Sequence, residues 1–127
     1  MAKKFNFVPQ INNMKQIIDT IKSELSQGAM DADKVISQLK ELREFFKANL
    51  KEPGYVRMIR LAYEDIEANG DYTFLFLEES DGKENLAYLL DLLADHANKY
   101  NREELQEIRN LMEGIEPELE ETEELDA

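Results

Sequence analysis

From Ile11 to Ile115, large apolar side chains recur at steps of three and four residues, and the pattern breaks at one place only. That spacing puts successive side chains on one face of an α-helix. A chain patterned this way buries its apolar residues by packing helix on helix. With 127 residues and an ordinary apolar fraction of 43%, it has the length of one domain and the means to build a core without staples. The expected fold is all-α: a compact bundle of five or six amphipathic helices.

The stripes predict the individual elements. Ile11, Met14, Ile18, Ile21 and Leu25 share the face of a first helix over 11–27, with Gly28 as its stop. Asp31 or Asp33 caps a second helix that runs to about Leu50, with Val35, Leu39, Leu42 and Phe46 inward. The short link between the two predicts antiparallel neighbours. Pro53 and Gly54 break the chain, and a third helix runs from about Tyr55 to Ala68, ended by Asn69 and Gly70. Tyr55, Ile59, Ala62, Tyr63 and Ile66 share its face, and Met58 and Leu61 widen it. Asp81 and Glu84 have capping-box spacing ahead of Leu86, Leu89, Leu90, Leu93 and Ala97. Asn101 and Glu104 repeat that spacing before Leu105, Ile108, Leu111 and Met112. The domain therefore spans residues 10–115, behind an N-terminal arm (1–9) and ahead of an acidic tail (116–127).

The exception is GDYTFLFLEESDG, residues 70–82, where Tyr72 to Leu77 hold five large apolar side chains and one threonine. As a strand, Tyr72, Phe74 and Phe76 face one way and Thr73, Leu75 and Leu77 the other. A strand also needs a partner for its backbone groups. Residues 3–8, where Phe5 and Phe7 alternate with polar residues, offer one, so an α+β fold pairing 3–8 with 72–77 is the minor alternative. As a short helix, which is the preferred reading, the segment needs no partner and plugs the core between the third and fourth long helices. An ordered loop is the third reading. Tyr72, Phe74 and Phe76 are also candidate partner-binding residues.

Charge narrows the function classes. The net charge is −13 and very uneven. Residues 1–60 hold eleven Lys/Arg against seven Asp/Glu, while residues 61–127 hold four against twenty-one. The last twelve residues, EPELEETEELDA, carry seven acids and no base, a composition that predicts disorder. An acidic body does not bind nucleic acid through counterion release, so no direct nucleic-acid binding is expected. The absence of cysteine removes disulfides and thiolate chemistry and fits a cytoplasmic location. No apolar run approaches the roughly 20 residues of a membrane span.

The basic groups concentrate instead. Lys40, Arg43, Lys47 and Lys51 step by three and four along the second helix, and Arg57 and Arg60 follow on the third. They form a candidate strip for an acidic partner or a phosphate. Ordinary mixed surface, or pairing with the chain's own acidic half, is the competing and preferred explanation. The acidic tail reads first as an aid to solubility. The second reading lays it along the basic strip.

Motifs with catalytic or metal chemistry are weak. Asp65-Ile66-Glu67-Ala68-Asn69-Gly70 imitates the opening of a calcium loop, but the twelfth position, which requires a bidentate glutamate, is Phe76. It reads as a helix end with a glycine stop. His96, the only histidine, stands beside Asp95 and reads as solvated or locally paired. The carboxylate pairs Glu64–Asp65, Glu78–Glu79, Asp91–Asp95 and Glu103–Glu104 fall on polar helix faces. No phosphate loop, nucleophile elbow or paired-histidine motif is present. No catalytic, cofactor-binding or metal-binding residue is assigned, and no cofactor is expected. These features favour a non-enzymatic protein–protein interaction module: an adaptor, inhibitor or regulatory protein with an unknown protein partner. The alternatives are an acidic mimic of nucleic acid that inhibits a DNA- or RNA-binding protein, and a small carboxylate-dependent enzyme. A basic first half and an acidic second half also make head-to-tail self-association conceivable.

Overall fold

The computed structural model describes residues 7–28 and 30–114, the first six of them as backbone. Over these residues the chain is all-helical. The helices are α1 (Phe7–Leu25), α2 (Ala32–Asn49), α3 (Pro53–Asn69), α4 (Gly82–Ala94) and α5 (Lys99–Glu113). The expected tail, and residues 1–6 of the expected arm, lie outside the described residues.

The helix ends follow from capping chemistry, with four corrections. The first helix starts at Phe7, not residue 11, and stops at Leu25, ahead of Gly28. Pro9 is tolerated because it falls in the first turn, where a backbone N–H has no helical acceptor. Asp31 caps α2, its side chain accepting from the Lys34 N–H. Pro53 does not separate α2 from α3 but opens α3 at a position where its fixed φ suits the helix. Gly70 closes α3 in the left-handed conformation, at φ 79°. The Asp81–Glu84 capping box is present in full at the start of α4. The cap of α5 is Asn98, which accepts from the Tyr100 and Asn101 N–H groups. Asn101, the expected cap, donates to the Asp95 carbonyl instead.

Substantial helix contacts run α3–α2–α1–α4–α5 and back to α3, so the five helices close a ring. The predicted stripes line its interior. Met14, Ile18, Ile21, Leu25, Val35, Leu39, Leu42, Phe46, Ile59, Ala62, Ile66, Leu86, Leu89, Leu90, Leu93, Leu105, Ile108 and Met112 are all buried. Ala97, placed on the α4 stripe by its spacing, lies beyond the helix end and is exposed. Leu111 also faces outward.

The pattern breaks where α3 gives way to α4. The segment between them is neither the preferred short helix nor a strand, but an ordered loop. It leaves and returns at one place, because the Tyr72 carbonyl lies against Gly82 at the start of α4. Side chains, rather than a helical or sheet ladder, engage its backbone groups. The alternative pairing with residues 3–8 does not form over the described part, because Phe7 and Val8 belong to α1.

Candidate functional site

Two buried polar side chains hold the loop between α3 and α4. Asp65, on α3, accepts from the Thr73 N–H (2.5 Å), the Thr73 hydroxyl (2.7 Å) and the Asn69 amide (2.7 Å). Asn85, on α4 and fully buried, accepts at one oxygen from the Phe76 N–H (2.7 Å) and the Leu77 N–H (2.8 Å). Its amide donates to the Asp81 carbonyl at 2.7 Å, which fixes the orientation of the acceptor. Three of the loop's backbone donors, the N–H groups of Thr73, Phe76 and Leu77, which a strand would satisfy with a neighbour, are satisfied by side chains from the two helices it joins, and the Tyr72 N–H by Asp71.

The loop side chains alternate. Tyr72 is only 1% exposed, packs edge-on against Phe74 and Phe76, and donates its hydroxyl to Met112 Sδ on α5. Burial, and then the Asp65 carboxylate, push its phenol far above its ordinary pKa, so it stays a neutral donor. Tyr72 is therefore a core residue. Phe74 and Phe76 are half-buried, and Phe76 also meets Tyr88 of α4. Leu75, between them, is 54% exposed. Glu78 and Glu79, exposed, follow at the loop's turn. Glu79 takes the left-handed conformation (φ 55°), which costs a non-glycine residue energy and marks a backbone set by its surroundings.

The basic strip comes together along the α2–α3 seam, largely matched to nearby acids. Lys40 pairs with Glu67 at 3.3 Å and lies over the Tyr63 ring. Arg43 pairs with Glu44 and Arg60 with Glu64. Arg57 reaches Glu113 on α5 at 2.9 Å and shares it with Arg109 at 3.1 Å. Lys47 and Lys51 are exposed and pair with no acid among the described residues.

Of the two readings of His96, solvated or locally paired, the structure has the second. It is half-buried, with Nδ1 3.0 Å from the Leu93 carbonyl and its ring against Phe46 and Tyr55. The calcium-like segment is the helix end its glycine implies, and the Asp65 carboxylate is engaged by the loop. Among the described residues no group of three His, Asp or Glu side chains is arranged to hold a metal ion. No helix among them is long and apolar enough to cross a membrane. A groove of about 450 Å³ between α1 and α2 is lined by Asn13, Gln16, Ile17, Glu41, Glu44 and Phe45.

Sequence reasoning missed Asp65 and Asn85 as loop clamps and Leu75 as the exposed member of the run. The two-residue alternation of the strand reading did place Leu75 opposite Tyr72, and was the signal available for it. No family model, curated protein or solved structure matches this chain.

Proposed function

We propose that the protein is a non-enzymatic interaction module that presents loop 70–81 to a partner protein. One observation carries this reading: a loop clamped by two buried polar groups holds Leu75 out in solvent at 54% exposure, between half-buried Phe74 and Phe76. An apolar side chain held in water on a fixed backbone is contact surface already in place for a partner. Preorganisation lowers the entropy lost on docking, and interface energy concentrates in a few such anchors. The acids Glu78 and Glu79 beside Leu75 favour a partner with an apolar pocket rimmed by Lys or Arg.

The test compares the wild-type chain with Leu75→Glu as bait in nuclease-treated native lysate, washed at low and high salt. A stoichiometric protein that survives high salt, and is lost from the variant while its melting temperature is unchanged, supports the module. A partner indifferent to Leu75→Glu removes the loop from the interface. A nucleic-acid-binding protein held only at low salt supports the acidic mimic instead.

A further inference from the structure

We infer that the basic end of the α2–α3 seam is the docking site of the chain's own acidic tail, residues 116–127. The inference is independent of the loop's role. It rests on where α5 ends. Arg102 pairs with Glu52, Arg109 lies against Gly54, and Glu113 pairs with Arg57. Arg102, Arg109 and Glu113 of α5 thus reach Glu52, Gly54 and Arg57 around the start of α3. The last turn of α5 stops beside Arg57, and the tail begins there, just past Gly114.

The charges around that point do not balance. Arg57 and Arg109 share the single carboxylate of Glu113. Lys47 and Lys51 have no acid among the described residues. They also lie at the same height. Helices α2 and α3 run antiparallel, with Lys40 against Tyr63 and Glu67. Lys47, two turns further along α2, therefore falls opposite the stretch from Val56 to Arg60, and Lys51 follows it into the turn before α3. The twelve residues after Ile115 bring seven acids and no base. Thirteen residues beyond Gly114 reach at most about 45 Å when extended. Packed helices lie only about 8–10 Å apart, so the reach from Arg57 to Lys47 and Lys51 is short by comparison. Tethering supplies a local concentration on the order of millimolar, enough for a set of weak ion pairs to be occupied together.

The chain has no cysteine, so a single nitroxide can be attached through Ala127→Cys. Amide broadening is then mapped in the full-length labelled protein and in a full-length labelled control whose seven tail acids are changed to amides. The expected result is excess broadening in the acidic form over residues 47–60 at low salt. It should disappear at about 0.5 M salt, where the screening length falls below about 5 Å, and in Lys47→Gln/Lys51→Gln. Both lysines are exposed, so that variant keeps the fold. Equal broadening with acidic and amide tails, or an excess centred elsewhere, overturns the inference. So does broadening passed to an unlabelled chain in a mixed sample, which would mean docking between copies.

Discussion

Asp65 and Asn85 set the loop's conformation, and their deletion should reveal its cost. Asn85→Ala strands the Phe76 and Leu77 N–H groups around a fully buried site. Each stranded group costs about 1–3 kcal/mol, so a loss of at least about 2 kcal/mol is expected in urea unfolding. Thr73→Val removes only the hydroxyl bond to Asp65 and leaves the N–H bond in place, so about 1 kcal/mol is expected. If the two variants unfold at the same urea concentration, the clamp is not what holds the loop. Neither role was legible in the sequence. Asp65 read as half of the solvated pair Glu64–Asp65, or as a false calcium ligand, and Asn85 carried no pattern at all. Their partners lie eight or nine residues away on a non-periodic segment. Only the position of α4 relative to α3 brings them together, and local spacing does not encode it.

At the scale of elements, legibility followed periodicity. Helices α1 to α5 all stood in the spacing of apolar residues, the capping box fixed the start of α4, and the start of α2 was left between Asp31 and Asp33, of which Asp31 is the cap. The start of α5 slipped because Asn98 and Asn101 are both competent caps. The choice between them depends on the Asp95 carbonyl, which engages Asn101. The run Tyr72–Leu77 misled for a different reason. Its composition suits strand, helix or buried loop alike, and its seating against Asp65 and Asn85, a tertiary property, goes with the loop. The loop's tight seating on α4 yields a prediction. A Cβ at Gly82 would run into the Tyr72 carbonyl oxygen, whereas one at Gly28 meets nothing within 4 Å. Gly82→Ala should therefore destabilise by roughly 1–3 kcal/mol, the range of forced overpacking. It should also perturb the Tyr72 environment in near-ultraviolet circular dichroism. Gly28→Ala should leave both unchanged. A Gly82→Ala chain as stable as the wild type would mean the loop can lift from α4 without cost.

Across the whole molecule, the basic first half and acidic second half close on each other within one chain. Lys22 pairs with Asp91, Lys40 with Glu67 and Arg57 with Glu113, and Glu52 pairs in the opposite sense with Arg102. The asymmetry was plain in the sequence, but its satisfaction within the chain was not, since charge counts do not say which helices meet. Glu113 is the pair with a measurable signature. The hydrogen bond from Arg109 holds its carboxyl below the ordinary 4.5, burial opposes this, and the charges of Arg109 and Arg57 add to the lowering. A carboxyl whose folded pKa is depressed binds protons more readily in the unfolded chain. Its stabilisation is therefore complete above the unfolded value and fades as pH falls through the folded one. Glu113→Gln, which keeps the shape and removes the charge, should lower the urea midpoint relative to wild type at pH 7. As pH falls below the ordinary 4.5 that difference should narrow, because the unfolded carboxyl takes up its proton first and the folded one only at lower pH. A difference that stays constant, or widens, on acidification would show that Glu113 joins α3 and α5 by shape and hydrogen bonding alone, with its charge contributing nothing.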